Sequence, residues 1–266
     1  MVFGLFPGVV EIPLCDTDSL ANEHCTVRTD AQAYLRARKL ADHDVLAELI
    51  LTILPSAVFA ILGCRPYLFN EHFVAKPARV ATSFCWHTDA AHQLEALLAL
   101  SPPCTGAANA SNEEEGGNAH EYVSLWIPLD DISESNGALI LLPRDASLPS
   151  DGTRAAPPPP WHQPANDDVE SWFSTHGTRA SVTTAGLGAG DAVLFSSRLW
   201  HCSEPNRSEH DRRVYYAQYS RRPIGSGQGA ACPSLSPLSL AVPTTPGHLP
   251  AGVEMRRLAA ATGAGP

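Results

Sequence analysis

Two histidines and one aspartate, far apart in the chain, constrain the fold more than any other feature. His87 and Asp89 lie at the end of a predicted strand over residues 81–88, and His201 follows a second predicted strand over residues 192–195. Two imidazoles and one carboxylate are the ligand set that holds non-heme Fe(II) while leaving coordination positions open. Because residues two apart on a strand share a face, the first pair can bind one ion. We therefore expect a fold that brings His201 back beside that pair.

An arginine follows the distal histidine at a short distance. Arg212 lies eleven residues after His201, just before a predicted strand over residues 213–219. A guanidinium is a fixed two-pronged donor that suits a co-substrate bearing a carboxylate. A catalytic zinc site can use the same three ligands, but it has no need of an arginine at this spacing. The four residues together therefore predict an Fe(II)/2-oxoglutarate oxygenase.

Composition limits the partners of the chain. Its 266 residues are 44% hydrophobic, which is enough for one substantial core. Lys and Arg number 18 against 28 Asp and Glu, so the net charge of −10 argues against a nucleic-acid-binding surface. We expect the partner to be a small-molecule substrate. The sequence leaves the oligomeric state open.

Cysteine usage and the apolar stretches bear on location. Seven cysteines, an odd number without any Cys-x-x-Cys pair, favour a reducing compartment, so we expect an intracellular, cytoplasmic protein. The N-terminal stretch lacks the positive region of a signal peptide. Residues 45–62 are the best candidate for a membrane span, but they contain Glu48 and Pro55. We predict a buried helix ended by Pro55 and no membrane span.

The pattern along the chain predicts a mainly β protein with flanking helices. Two helices are expected between residues 30 and 54, with a break near residues 42–44. Short strands separated by turn residues follow, which is typical of a double-sheet jelly roll. The strands are predicted over residues 67–75, 81–88, 122–129, 138–142, 192–195 and 213–219.

We expect one oxygenase domain over residues 1–266. It consists of a helical section over about residues 1–62, a jelly-roll core over about residues 66–222, and a tail rich in Pro, Gly and Ala over residues 223–266. A polar insertion over residues 101–117 interrupts the core. Its role and that of the tail stay open.

Four segments, in order, resemble the phytanoyl-CoA dioxygenase family, from about residue 67 to residue 219. They are FVAKP at 73–77, WHTDAA at 86–91, WIPLDDISESNGA at 126–138, and GDAVLF at 190–195 followed by HCSEPNR at 201–207 and Arg212. The resemblance implies a double-stranded β-helix, which is a jelly roll. It also implies Fe(II), 2-oxoglutarate as co-substrate and O₂, with ascorbate as a supporting reductant.

The same resemblance implies roles for individual residues. The metal ligands of the family fall on His87, Asp89 and His201. The arginine that anchors 2-oxoglutarate falls on Arg212. A helper hydroxyl two residues after the distal histidine falls on Ser203, and the tryptophan that lines the 2-oxoglutarate pocket falls on Trp126. Lys76 resembles the lysine that precedes proline in the family, and we assign it no role at this stage.

Departures from the family pattern lie where the substrate would bind. Thr88 stands where many relatives have glutamine, and residues 143–147 replace a common Pro-Gly-Ser-His segment. We expect Thr88 and His92 to face the substrate, whose identity the sequence leaves open. The leading hypothesis is hydroxylation of an unactivated C–H bond of a small organic molecule, with release of succinate and CO₂. The alternatives are desaturation or epimerisation at the same site, or a non-catalytic metal-binding jelly roll.

Overall fold

Two antiparallel sheets and a set of helices make up the described part of the computed structural model, which comprises residues 10–13, 30–89, 122–142, 181–221 and 242–256. This arrangement confirms the prediction of a mainly β jelly roll with flanking helices. His92, the insertion over residues 101–117 and most of the C-terminal tail lie outside the described residues.

The larger sheet has six strands, and its centre is strand β9. The order is β1-β2-β9-β4-β7, with β10 pairing to the same edge of β2 as β1. Both β1 and β10 fall outside the core range expected from the sequence. The strands are β1 (Val10–Pro13), β2 (Tyr67–Lys76), β4 (Tyr122–Pro128), β7 (Val193–Ser196), β9 (Arg212–Ser220) and β10 (Val242–Pro243).

The smaller sheet has four strands in the order β3-β8-β5-β6. Gly137 has φ of +85°, so the turn that leads into β5 uses the positive backbone angle expected from Asn136-Gly137. Asn136 braces this turn, because its amide accepts from Ser133 N at 2.9 Å and donates to Asp131 O at 2.7 Å. The strands are β3 (Phe84–His87), β5 (Leu139–Leu141), β6 (Val182–Thr183) and β8 (His201–Ser203).

The helices cover the outer face of the larger sheet. Helix α1 (Ala31–Ala37) is capped by Asp30, whose carboxylate accepts from Ala33 N at 2.7 Å. Helix α2 (Asp44–Glu48), a π-helical turn (Leu49–Ile53) and helix α3 (Leu54–Leu62) follow without interruption after the expected break.

The prediction that Pro55 ends a helix is wrong. Pro55 lies in the first turn of α3, which continues to Gly63. Proline cannot donate to the carbonyl of Leu51 four residues earlier, and that carbonyl instead accepts from Thr245 N at 2.8 Å. The π-helical turn just before it also leaves the Ile50 carbonyl to accept from Tyr219 Oη at 2.7 Å. Partners outside the helix thus replace the bond that proline removes.

Residues Asp44 to Leu62 form a helical run of 19 residues with a mean hydropathy of 2.4, long and apolar enough to cross a membrane. In this structure 44% of it is buried against the protein. The same length and composition occur in core helices. The absence of a membrane span therefore stays a prediction.

Residues that alternate along β9 pack on opposite sides of the larger sheet, as the pleat requires. Ala217 and Tyr219 pack against the helices. Val214 and Tyr216 face the smaller sheet, where they join a cluster with Trp126 and Leu139. The strand β4 is buried along its whole length because it is covered on both faces. The inner face, between the two sheets, is where the candidate functional side chains converge.

A buried carboxylate ties helix α1 to the outer face of the larger sheet. Glu71 on β2 accepts from Tyr34 Oη at 2.7 Å, from Arg38 Nε at 2.5 Å and from Tyr215 Oη at 2.9 Å. The Glu71 side chain is completely buried, and the Arg38 side chain is 15% exposed. All three donors lose their shared acceptor if this carboxylate is removed.

We expect Glu71→Gln to lower the free energy of unfolding by about 3 kcal/mol, because it leaves the Arg38 guanidinium largely buried without a counter-charge. Chemical denaturation followed by circular dichroism measures the change. Glu209→Gln is the matched control, since its ion pair with Arg79 is exposed on both sides and contributes little. Equal stability of the two variants would contradict a structural role for Glu71.

Candidate active site

The antiparallel pairing of β3 and β8 brings two distant histidines together. His87, the last residue of β3, is the cross-strand partner of His201, the first residue of β8, and their ring centroids are 4.2 Å apart. Asp89 lies beyond the end of β3, with Oδ1 3.5 Å from Nε2 of His201. One ligand atom from each of the three residues lies within 4.8 Å of the others. The three side chains could therefore hold one metal ion.

The sequence argument for Asp89 needs a correction. We expected it to share a strand face with His87, but the strand ends at His87. The position of Asp89 is fixed by hydrogen bonds instead: its Oδ2 accepts from Ser124 Oγ at 2.5 Å and from Tyr216 Oη at 2.5 Å. Both hydroxyls belong to the larger sheet. The carboxylate of Asp89 therefore bridges the two sheets and turns its other oxygen towards His201.

An amide holds the two hydroxyls that bind Asp89. Gln218 Nε2 donates to Ser124 Oγ at 3.1 Å and lies 3.2 Å from Tyr216 Oη. The same amide accepts from Asn70 Nδ2 at 2.8 Å through its oxygen, which orients the group. With the amide N–H directed at both hydroxyl oxygens, each hydroxyl hydrogen is free to point at the carboxylate.

The backbone selects the tautomer of His201. Its Nδ1 lies 2.9 Å from the carbonyl oxygen of Leu199, so the N–H sits on Nδ1 and the lone pair on Nε2. Nε2 is the atom that faces Asp89. Phe195 packs against the ring, with centroids 4.8 Å apart. This is the orientation in which a histidine can bind a metal through Nε2.

The carboxylate of Asp89 is favoured over its acid form. Burial by itself raises the pKa of a carboxyl group, but the net shift of the Asp89 pKa is downward. The imidazoles of His201 and His87 make the largest opposing contributions, and the hydrogen bonds from Ser124 and Tyr216 add to them. The site therefore presents an anionic oxygen ligand at neutral pH.

A buried cation lies on the same inner face. Arg212, at the start of β9, is 1% exposed, and its guanidinium lies over the ring of Trp126, with Cζ 5.6 Å from the ring centroid. Among the described residues, its Nε and Nη1 have no hydrogen-bond partner. Burial lowers the pKa of Arg212 to about 10, against the opposing effect of Asp130, so it stays charged at neutral pH. Such a group is suited to bind an anion.

The carboxylate of Asp130 does not neutralise Arg212, because it pairs with the adjacent residue. Arg213 donates to it from Nε at 3.0 Å and from Nη2 at 2.6 Å. Arg213 points to solvent, on the opposite side of β9 from Arg212, as strand alternation requires. Arg213 therefore has a carboxylate partner, whereas Nε and Nη1 of the neighbouring Arg212 have no hydrogen-bond partner among the described residues.

The structure brings together most of the residues predicted from the sequence. Ser203 is buried on β8, two residues after His201, and Trp126 is buried on β4. Thr88 is half-buried between His87 and Asp89. His92 lies outside the described residues. Cys202, the residue after His201 on β8, is buried beside Trp86.

Sequence reasoning missed several residues of the inner face. Tyr216 on β9 and Ser124 on β4 hold Asp89, and His72 on β2 is the cross-strand partner of Tyr216. Burial lowers the pKa of His72 to about 4, against the opposing effect of Asp89, so its ring is neutral. One signal was available: Arg212 and Tyr216 are four residues apart, so an inward Arg212 places Tyr216 inward as well.

A sequence profile of the phytanoyl-CoA dioxygenase (PhyH) family matches residues 17–214 of the chain. No match was found among curated proteins.

The solved structures that match the chain share low sequence identity with it. EvdO2 from Micromonospora carbonacea var. aurantiaca, complexed with 2-oxoglutarate, is 21% identical over 66% of this chain and 63% of its own, with a TM-score of 0.41. SnoK, a carbocyclase from nogalamycin biosynthesis, is 15% identical over 92% and 77%, with a TM-score of 0.49. EctD from S. alaskensis, with 2-oxoglutarate and 5-hydroxyectoine, is 19% identical over 78% and 65%, with a TM-score of 0.44. The chain spans less than two thirds of EvdO2 and of EctD.

We expect Tyr216→Phe to weaken binding of Co(II) or Fe(II) by about tenfold or more, because Asp89 loses one of the two hydroxyls that orient it. The absorption spectrum of bound Co(II) and calorimetry both report the affinity. Tyr215→Phe is the matched control, since its hydroxyl lies on the other face of β9 and donates to Glu71. Identical metal affinity in the two variants would rule out orientation of Asp89 by Tyr216.

Proposed function

The chain belongs to the phytanoyl-CoA dioxygenase family, whose members are 2-oxoglutarate-dependent non-heme iron oxygenases, and on this basis we propose that it hydroxylates an unactivated C–H bond of a small organic molecule. Succinate and CO₂ are the co-products. The observation that carries the proposal is the buried guanidinium of Arg212, on the inner face that also holds His87, Asp89 and His201. Its Nε and Nη1 have no hydrogen-bond partner in the part of the chain that the structure describes.

The donor set fits Fe(II). His87, Asp89 and His201 would hold the ion through two imidazole nitrogens and one carboxylate oxygen, and three coordination positions stay available for a bidentate 2-oxo acid and O₂. His201 is already oriented by the Leu199 carbonyl. The Oδ2 atom of Asp89 is occupied by hydroxyl donors, which favours binding of the metal through Oδ1 alone.

The bound Fe(II), 2-oxoglutarate and O₂ supply the oxidising chemistry: one oxygen atom of O₂ enters succinate as CO₂ leaves, and the other enters the substrate C–H bond. The protein orients these groups and excludes water. Trp126, Phe195 and Val214 belong to one buried apolar cluster, and Phe195 packs against the ring of His201. They keep solvent away from the reacting atoms.

The far carboxylate of 2-oxoglutarate would bind at Arg212. Among the described residues Nε and Nη1 have no hydrogen-bond partner, so N–H donors of this guanidinium stay available for a carboxylate. Ser203, two residues after His201 on the facing sheet, would add a hydroxyl donor, and Trp126 would form one wall beneath the guanidinium. Binding of the diacid thereby neutralises a cation for which the described residues provide no counter-ion.

The substrate class beyond a small organic molecule stays open. Thr88 and His92 are the residues that we propose to face it, since both follow the first metal ligand in the chain. We also propose a single domain over residues 1–266 and a cytoplasmic location. A screen of small metabolites for substrate-stimulated succinate formation, with Fe(II) and ascorbate present, identifies the substrate and separates hydroxylation from desaturation by product analysis.

We expect Arg212→Gln to raise the 2-oxoglutarate concentration needed for half-maximal succinate formation by about 30-fold or more. Loss of one partner of a buried, hydrogen-bonded charge pair costs about 2 kcal/mol or more. Arg213→Gln is the matched control, because this adjacent arginine is exposed and pairs with Asp130. A normal 2-oxoglutarate requirement in the Arg212 variant would remove this residue from the proposed site.

Substitution of either proposed ligand, in His87→Ala or Asp89→Ala, is expected to abolish turnover and to weaken Fe(II) binding, because two ligands hold the ion less tightly than three.

Metal-stripped wild-type protein is expected to regain 2-oxoglutarate turnover with Fe(II) and not with Zn(II). Recovery of activity with Zn(II) alone would overturn the oxygenase assignment in favour of a hydrolytic zinc enzyme.

A further inference from the structure

The second buried cation of the inner face is Lys76, the last residue of β2. Its side chain is fully buried, and its Nζ donates to Ser203 O at 3.1 Å, to Ser203 Oγ at 2.8 Å and to Glu204 O at 2.5 Å. Three acceptors take up all three hydrogens of an ammonium group. A neutral amine has only two hydrogens, so its lone pair would face one of these oxygens. The geometry is therefore built for the charged form.

Close packing fixes this lysine in place. A Cβ on Gly137 would lie 2.7 Å from the carbonyl oxygen of Glu204 and 3.2 Å from Cδ of Lys76, so only glycine fits beside them. The ring of Phe84 lies 5.0 Å from Nζ on another side, a favourable position for a cation. Asn206 holds the backbone carbonyl of Lys76 through its Nδ2 at 2.9 Å.

The charges around Lys76 oppose its protonation. Lys76 and Arg212 are directly paired across β2 and β9, so two buried cations lie side by side. Burial, and then the charge of Arg212, lower the pKa of Lys76 to about 7. Cys202 and Glu204 act in the opposite direction. None of the carboxylates in the described residues hydrogen-bonds to Nζ. Asp130 faces Arg212 but pairs with Arg213.

The hydrogen bond from Lys76 sets the direction of the Ser203 hydroxyl. A hydroxyl oxygen that accepts from an ammonium group keeps its own hydrogen free to donate elsewhere. If Lys76 is neutral, the hydroxyl can instead donate to the amine lone pair. The protonation state of Lys76 therefore decides whether Ser203 presents a donor to an anion bound at Arg212.

We propose that Lys76 is a positioning residue of the dicarboxylate site: it directs the hydroxyl hydrogen of Ser203 towards the far carboxylate of 2-oxoglutarate, and it takes up a proton when this anion binds. The inference rests on the proposed function, since 2-oxoglutarate is the anion considered. The bound carboxylate neutralises Arg212 and so removes the repulsion that disfavours the ammonium form.

The direction of the pH effect follows from linkage. Lys76 loses its proton near pH 7 in the free protein and at higher pH in the complex, so binding takes up a proton between these two values. A ligand whose binding takes up a proton binds more weakly as pH rises. The affinity for 2-oxoglutarate is therefore expected to fall by up to about tenfold per pH unit above pH 7, and to level off once Lys76 is neutral in the complex as well.

The chain has only two lysines, Lys39 and Lys76, which makes a selective test available. Protein grown with lysine labelled at Cε with ¹³C, and loaded with Zn(II) as a diamagnetic replacement for Fe(II), gives two side-chain resonances. Lys76→Met assigns them. The Lys76 resonance is expected to titrate near pH 7 without 2-oxoglutarate and at clearly higher pH when 2-oxoglutarate is saturating. The Lys39 resonance, from an exposed side chain, is the internal control and should not respond to 2-oxoglutarate.

Calorimetry in two buffers of different ionisation enthalpy checks the same claim on wild-type protein, and so does not depend on whether Lys76→Met folds. Uptake approaching one proton per 2-oxoglutarate above pH 7 supports the inference, as does a pH-independent, at least tenfold weaker affinity in Lys76→Met. Tight 2-oxoglutarate binding with no proton uptake and an unchanged Lys76 resonance overturns the role of Lys76 alone. Absence of 2-oxoglutarate binding to the metal-loaded wild type overturns the proposed function itself.

Discussion

A guanidinium buried between two sheets, with no carboxylate bonded to it among the described residues, is the feature on which the proposed site depends. An isolated buried charge is unfavourable by several kcal/mol unless something neutralises it. Arg212 retains its charge near neutral pH, lies over Trp126 and offers two unused N–H donors in the described part of the chain. A stability argument alone does not account for such a group, because an apolar residue there would cost less. We propose that a ligand with a carboxylate accounts for it.

The outer face of the same sheet shows what a structural charge looks like in this protein. Glu71 is as deeply buried as Arg212, but three donors saturate it, and it joins helix α1 to strands β2 and β9. Asp89 is intermediate: two hydroxyls hold one oxygen and leave the other directed at His201. Among the described residues, the hydrogen bonds of Glu71 are satisfied by the protein itself, whereas Nε and Nη1 of Arg212 have no partner; we propose that a ligand supplies it.

The sequence predicts the elements of this fold better than it predicts their contacts. His87, His201 and Arg212 could be proposed from the sequence because a known ligand set and a fixed spacing carry the signal, and the structure places them on one inner face. The roles of Lys76 and Ser124 could not be predicted, since they depend on the register between β2, β9 and β4, which local patterns leave free. The prediction that a helix ends at Pro55 was wrong for a related reason. The residue that donates to the free Leu51 carbonyl, Thr245, lies far along the chain.

The most direct test of the account is a crystal structure of the protein with Fe(II) and 2-oxoglutarate bound. The crystals are grown in the absence of oxygen so that no turnover occurs. The account predicts one iron ion on His87, Asp89 and His201, and the far carboxylate of 2-oxoglutarate about 2.7–2.9 Å from the guanidinium nitrogens of Arg212. A structure in which the guanidinium pairs with a carboxylate of the protein itself, with no diacid between the sheets, would contradict it.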